Sequence, residues 1–537
     1  MIRIQGTSVF GGIAIGPIRI LKKKEKHVIQ YSVENTELEL NRYREATRCA
    51  ENQLEALYQK AVAEVGETDA SIFHVHKLML SDMDYVEAVE HKITAQKMNA
   101  EYAVAMTRDY FTELFAAIDD DFMRARMADV KDVSERLIYI LSGDDKNLWN
   151  DEQSYILFTE DLTPSETIQL NKNQVGAFVT RFGSIHSHTA ILARTMNIPA
   201  VVGADFPKDC DGKLVIVDGF TGNIYIEPDE ALLSEMEKFR LENEYKAMML
   251  NTLKGKEDLT KSGRNISIYA NVGNVSDVVT AIENDASGIG LFRSEFLFLE
   301  KEDYPTEEEQ FLEYKRAAEM MSGKKVIIRT IDIGADKTTA YFGLAREDNP
   351  SMGYRAIRIC LERPELFKTQ LRALYRASAY GNISIMYPMV TSVEEVEQIK
   401  QLSKEVRESL KHEGVKMGDV EEGIMIETPA AALISDLLAE KVDFFSIGTN
   451  DLSQFALAMD RQNAKLANFF NPYHESILRL IEMTVRNAHK AGIWVGICGE
   501  LAADLHLTEH FVQMGVDELS VAPGLILPLR QKIREIQ

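Results

Sequence analysis

The sequence predicts a multidomain α/β protein whose C-terminal half closes into a (β/α)8 barrel of the TIM type. Three observations lead there. After residue 257, eight short apolar runs recur, each followed by helical or loop sequence, which is the strand count and alternation that such a barrel requires. From Tyr31 to Leu141 the chain holds 3.6-residue periodicity with no proline and a single glycine, Gly66, as an all-helical subdomain should. Between these regions, and again at the N-terminus, short strand-like runs mark a small α/β domain.

The elements follow in order. The opening residues, Val9 to Gly16 and Ile18 to Leu21, read as short strands separated by turns. Helical stretches run from Glu34 to Val65, Ser71 to Leu80 and Ala100 to Phe115. Strands return at Tyr155–Phe158, Ala177–Thr180, Leu214–Val217 and Ile224–Ile226. Residues 1–21 and 144–228 are therefore assigned to the small α/β domain, and 22–143 to the helical insert. Residues 229–256 are rich in Glu and Lys with little to bury, the mark of a solvated connecting helix. The barrel, 257–537, takes strands Ser267–Val272, Gly288–Phe292, Val326–Ile331, Ser384–Pro388, Gly423–Ile426, Phe444–Ile447, Trp494–Ile497 and Glu518–Val521. An open doubly wound sheet is the alternative topology.

A chain of 537 residues has room for several cores. Its 45% hydrophobic and 27% charged residues are an ordinary globular balance. The net charge of −24 disfavours nucleic acid and anionic membrane surfaces, and suits a basic protein partner. Cys49, Cys210, Cys360 and Cys498 are scattered without a C-x-x-C pair, which points away from a disulfide framework and toward the cytoplasm. No signal peptide pattern or bilayer-length apolar run stands in the sequence, so no membrane insertion is expected.

Barrel enzymes assemble their sites where strands end. Those ends carry Asn271, Arg293 with Glu295, Arg329 with Asp332, Met389, Glu427, Asn450 with Asp451, and Cys498 with Glu500; Arg355 and Arg461 stand in the loops that follow. Arginine pairs bidentately with phosphate and carboxylate alike. Glu427 and Asp451 are hard oxygen donors of the kind that suit Mg2+ better than zinc. The substrate expected is a small anion bearing both a phosphate and a carboxylate. Cys498, in the run I-C-G-E, reads either as a small buried residue or as a thiol that protonates a carbanion.

Residues 183–194 read G-S-I-H-S-H-T-A-I-L-A-R, with a turn at Gly183-Ser184 and helical periodicity from Thr189 to Met196. His188 then falls at a helix N-terminus, where an anion is stabilised, and a neutral imidazole there is a competent phosphoryl acceptor. As an isolated H-x-H pair, His186 and His188 read more readily as exposed loop histidines, or as half of a metal site that no nearby cysteine or acid completes.

Together these residues resemble Enzyme I of the bacterial phosphoenolpyruvate-dependent sugar phosphotransferase system, over almost the whole chain. The barrel runs that carry the resemblance are G-L-F-R-S-E-F at 290–296, R-T-I-D-I-G at 329–334, G-Y-R-A-I-R at 353–358, E-T-P-A-A at 427–431, F-F-S-I-G-T-N-D-L at 444–452, D-R-Q-N at 460–463 and C-G-E-L at 498–501. The helical insert adds H-K-L-M-L-S-D at 76–82 and D-D-D-F-M-R-A-R-M-A-D-V-K-D-V at 119–133. The resemblance implies that His188 is phosphorylated and that Cys498 protonates the enolate as pyruvate forms. It implies that Arg293, Arg329, Arg355, Asn450, Asp451 and Arg461 bind phosphoenolpyruvate, and that Glu427 and Asp451 hold Mg2+. The small domain would swivel as a phosphohistidine domain, the helical insert would dock a histidine-containing phosphocarrier protein, and the barrel would form a homodimer.

Some positions depart from the family pattern. Ser184, Ile185 and His186 replace the usual Gly, Arg and Thr before the Ser-His pair; Ala335 replaces a glycine; and Ser8-Val9-Phe10-Gly11 stands for Ala-Ser-Pro-Gly. The end at Gln537, soon after the eighth strand, suggests that a closing helix is missing. These departures leave a second reading, a divergent regulatory paralogue with low turnover or another partner. A pyruvate–phosphate dikinase shares the histidine domain and barrel, but it needs an ATP-binding domain, and no P-loop occurs.

Overall fold

The computed structural model describes residues 1–21, 28–65, 67–116, 121–143, 154–160, 162, 174–183, 193, 198–299, 301, 303–334, 340–461, 463–466 and 469–537. The chain divides into two compact units, Met1–Lys246 and Ala247–Gln537.

The first unit contains a mixed sheet of eight strands, β1 (Ile2–Gln5), β2 (Thr7–Phe10), β3 (Ile13–Ile20), β4 (Tyr155–Thr159), β5 (Val175–Thr180), β6 (Ala200–Val202), β7 (Leu214–Asp218) and β8 (Asn223–Ile226). Their order is β1-β8-β7-β3-β4-β5-β6-β2. The sequence suggests a break near Pro17, yet β3 runs through it. The antiparallel ladder to β7 ends at Pro17 and the parallel ladder to β4 begins at Ile18, so the residue lacking an N–H falls where the partner changes.

Five helices make up the insert, α1 (Thr36–Val65), α2 (Glu67–Leu80), α3 (Met83–Thr94), α4 (Ala100–Ala116) and α5 (Asp121–Leu141). Tyr43, Leu54, Phe73, Val89, Ile93, Val104 and Leu137 form their core. The two insert motifs meet inside it. His76 is fully buried, its Nε2 3.1 Å from Asp129 Oδ1 and its Nδ1 3.4 Å from Asp132 Oδ2. The helix Glu230–Asn251 has no buried residue, in keeping with its solvated composition.

The second unit is a closed parallel barrel of β9 (Ser267–Val272), β10 (Gly288–Arg293), β11 (Val326–Arg329), β12 (Ile383–Tyr387), β13 (Glu421–Ile426), β14 (Phe444–Ile447), β15 (Trp494–Ile497) and β16 (Glu518–Val521), with β16 pairing back onto β9. Apart from β9, whose burial alternates, its strands are buried on both faces, so they read as continuous apolar runs with little alternation. The open-sheet alternative is thereby excluded.

The missing closing helix is corrected too. Helix Ile526–Glu535 follows β16, and Ile526, Leu529 and Ile533 are fully buried in the barrel core. Arg530, 1% exposed, locks this helix. Its Nε donates to Asp258 Oδ1 (2.6 Å), Nη1 to Asp285 Oδ2 (2.5 Å) and to the Leu253 carbonyl (3.1 Å), and Nη2 to the Asp285 carbonyl (2.7 Å). Breaking a buried ion pair leaves uncompensated charge, so Arg530→Met should cost about 3–5 kcal/mol of barrel stability. Urea unfolding measures this, and an unchanged midpoint would mean that apolar packing alone holds the helix.

Candidate active site

The C-terminal ends of the barrel strands converge on a cleft of about 390 Å³. Arg293, Glu295, Arg329, Asp332, Arg355, Glu427, Asn450, Asp451, Arg461, Cys498 and Glu500 all line it. Local structure explains how each reaches that face.

Arg293 and Arg329 are the last residues of β10 and β11 and register with each other. A buried amide sets the loops that follow. Gln370, 1% exposed on helix Pro364–Ala377, accepts from the Ile331 N–H (3.0 Å) and donates to Ser294 Oγ (2.9 Å) and Tyr314 Oη (3.1 Å). Nothing in the sequence pattern singles Gln370 out, because its partners come from three separate segments. Arg355 precedes Ala356, whose φ of 52° lies in the left-handed region and turns the chain sharply into helix Ile357–Glu362. Met389 also has a positive φ, 57°, and its N–H donates to Glu427 Oε1 at 2.6 Å. Backbone strain of this kind gathers at functional sites.

Glu427 follows β13, and Thr428 then caps the helix Pro429–Leu433 by accepting from Ala431 N. Asn450 and Asp451 occupy the first turn of helix Thr449–Leu457. Asn450 Nδ2 donates to Glu500 Oε1 (3.0 Å) while the Glu500 N–H donates to Asn450 Oδ1 (2.8 Å). Arg461 Nη1 reaches the same Glu500 oxygen at 3.4 Å, and the Arg461 N–H donates to Gln454 Oε1 at 3.1 Å. Gln454 was not apparent from sequence either; it lies mid-helix, away from any strand end.

The electrostatics are tightly balanced. Arg329 pairs with Glu295 through Nη2 and with Asp332 Oδ2 at 3.0 Å. Arg355 Nη2 forks onto Asp332 at 2.8 and 3.1 Å, and its Nη1 lies 4.0 Å from Asp451 Oδ1. Arg329 Nε is buried with no hydrogen-bond partner among the described residues. Burial opposes these charges, but the surrounding carboxylates outweigh it and hold both guanidinium groups above their ordinary pKa. Glu427 behaves oppositely. Burial first, then Asp451 and Asp332, push its carboxyl up to about 8, against the pull of Arg329 and Arg355. Cys498 is also buried, and loss of solvation pushes its thiol up to about 12, with Ser446 and Arg329 opposing and Glu518 and Glu427 adding. It therefore keeps its proton at neutral pH.

Among the described residues no cluster of three or more His, Cys, Asp or Glu side chains is arranged to hold a metal ion. Glu427 and Asp451 nevertheless form a pair of mutually repelling hard oxygen donors. Such a pair fits Mg2+, which keeps several waters and takes its remaining ligands from substrate phosphate. His188, His186, Ser184, Ile185 and Ala335 lie outside the described residues.

Residues 248–537 match the family described as PEP-utilising enzyme, PEP-binding domain; residues 151–222 match its mobile domain and 5–126 its N-terminal domain. The phosphoenolpyruvate-protein phosphotransferase of Priestia megaterium is 41% identical over 99% of this chain and 94% of its own. That of Bacillus subtilis (strain 168) is 40% identical over 100% of this chain and 95% of its own. In the described residues no helix is long and apolar enough to cross a membrane. With identity sustained end to end and an arginine–carboxylate cleft at the barrel mouth, the chain belongs to the phosphoenolpyruvate-protein phosphotransferase family.

Proposed function

We propose that this protein moves the phosphoryl group of phosphoenolpyruvate onto His188 and then onto a histidine of a small phosphocarrier protein, releasing pyruvate, as the first step of phosphotransferase sugar uptake. The observation that carries this reading is the convergence of Arg293, Arg329, Arg355 and Arg461 with Glu427 and Asp451 in one cleft. Phosphoryl transfer needs positioning and charge neutralisation above all. Asn450 orients the anion, held by its reciprocal bonds to Glu500. The four guanidinium groups face four carboxylates in that cleft besides the Glu427 carboxyl, so a multiply charged anion would find too little positive charge from the protein alone. Glu427 and Asp451 would hold Mg2+, which supplies the missing charge and polarises the phosphate. Cys498, protonated and buried, would give its proton to the enolate carbon left as the P–O bond breaks.

The helical insert would dock the carrier, whose basic face would suit the acidic surface. The segment 229–256 would act as the hinge on which the small domain, residues 1–21 and 144–228, swivels between substrate and carrier. A cytoplasmic homodimer joined through the barrel is the expected assembly. The alternative, a low-turnover regulatory paralogue, has less support, because the residues to which this reading gives substrate and metal line one cleft.

Incubation with ³²P-phosphoenolpyruvate and Mg2+ should give acid-labile label on the wild type and none on His188→Ala. Label on that variant, lost instead in His186→Ala, would reassign the acceptor. An unlabelled wild type would leave only the regulatory reading standing.

A further inference from the structure

Each turnover of the proposed reaction takes the proton of Cys498, whose side chain is buried, so a proton must return to a sulfur with little access to water. The barrel interior beneath it holds a carboxyl with no role in that reaction. Glu518 opens β16, is 2% exposed, and its Oε1 has no hydrogen-bond partner among the described residues. An ionised carboxylate left unpaired in such a place is costly. Burial accordingly holds Glu518 far above the ordinary carboxylate range, with Lys325 opposing and Asp517 adding.

Two glycines make room for this carboxyl. A Cβ at Gly496 would collide with Glu518 Oε2, and one at Gly290 would stand 2.6 Å from Oε1. Gly496 registers with Glu518 on one side and Ser446 on the other, so the carboxyl fills the gap at that level of the barrel. Cys498 is the next inward position above Gly496 on the same strand, a separation of roughly 6.6 Å along the strand. Ser446, level with Gly496 on the neighbouring strand, carries a buried hydroxyl with no hydrogen-bond partner among the described residues, while the thiol donates to the Ile447 carbonyl at 3.8 Å. The other titratable groups around Glu518 are Tyr269 on β9, Lys325 before β11 and the adjacent Asp517. Tyr269 and Lys325 are half-buried at the N-terminal mouth of the barrel.

We infer that Glu518 is the proton reserve for Cys498, acting through the Ser446 hydroxyl. The inference rests on the reading of Cys498 as the enolate's proton donor. When the enolate carbon is protonated, a C–H bond forms, the S–H bond breaks and a thiolate remains. Ser446 then gives its hydroxyl proton to sulfur as it takes the proton of Glu518, so the S–H bond is restored and a carboxylate is left. Water at the N-terminal mouth returns a proton to that carboxylate. Substrate thus enters from one end of the barrel and protons from the other.

The test separates proton traffic from carbon traffic. The full-length protein is equilibrated in D2O with Mg2+, phosphoenolpyruvate and ¹⁴C-pyruvate. Carbon exchange between the two and deuterium entering the pyruvate methyl group are then measured. Wild type should take up about one deuterium per carbon exchange. Glu518→Gln should keep carbon exchange within about threefold while deuterium per exchange falls at least tenfold, because the sulfur returns the same proton it took. Glu518→Asp, shorter but still able to carry a proton, should recover part of the uptake. Unchanged deuterium per exchange in Glu518→Gln would overturn the relay, and so would a parallel fall in both readouts, which a merely structural role produces. Cys498→Ala should lose both; if it keeps both, the role of Cys498 itself fails and the relay with it.

Discussion

Arg329→Met is expected to lower kcat/KM for phosphoenolpyruvate by at least about a thousandfold, because in the proposed reaction its charge meets the transferring phosphate in a site with little water. It should also destabilise the barrel. Arg329 is 7% exposed and pairs with Glu295 and Asp332, which are 5% and 4% exposed. Asp332 keeps the Arg355 fork, but Glu295 Oε2 already lacks a hydrogen-bond partner among the described residues. Without Arg329 its Oε1 loses its guanidinium partner as well. An abandoned buried charge of this kind costs about 3–5 kcal/mol. Arg329→Lys keeps the charge and loses the planar fork, so it should recover stability better than activity. Steady-state kinetics beside thermal melts read both effects. Wild-type kinetics in a destabilised Arg329→Met protein would make Arg329 a structural residue only.

Glu427→Gln should abolish Mg2+-dependent phosphorylation and, in the metal-free protein, raise stability. The sign follows from the carboxyl's position. Its folded pKa of about 8 lies above its ordinary value of 4.5, so the unfolded chain releases this proton first. Stability is therefore lost as pH rises from 4.5 toward 8, and the full penalty stands above 8. A neutral glutamine never incurs it and still offers an oxygen to the Met389 N–H. The melting temperature of metal-free Glu427→Gln should exceed that of wild type by a margin that widens with pH up to about 8. Added Mg2+ should raise the wild type and leave the variant unmoved. Equal response of both proteins to Mg2+ would place the metal elsewhere. A residue that weakens the resting fold and serves the loaded one is expected at a site built for charge.

The barrel was legible in the sequence because its strands, all but the alternating Ser267–Val272 buried on both faces, are bounded by polar ends. Ser267–Val272, Phe444–Ile447, Trp494–Ile497 and Glu518–Val521 carry the same bounds in the structure as their apolar runs imply. The polar strand ends were legible for the same reason: Arg293, Arg329, Glu427 and Cys498 each follow an apolar run directly, and a parallel barrel brings such positions to one mouth. Less visible was the end of the chain. Ile526–Glu535 is short and basic in its last turn, and only its packing reveals that it closes the barrel.

By itself, then, the sequence determined the order of elements, the eight-strand count and the set of side chains delivered to the barrel mouth. These are properties of local periodicity and of which residue follows each strand. Tertiary structure alone decided which charges neutralise one another. Asp332 serves both Arg329 and Arg355, Glu500 serves both Asn450 and Arg461, and Gln370 ties three segments together. It also decided that Glu518, to the eye one more residue of a buried strand, fills the space that Gly290 and Gly496 leave open. Pairings of this kind join residues far apart in the chain, and burial sets their strength, because each unpaired charge costs most where water is absent.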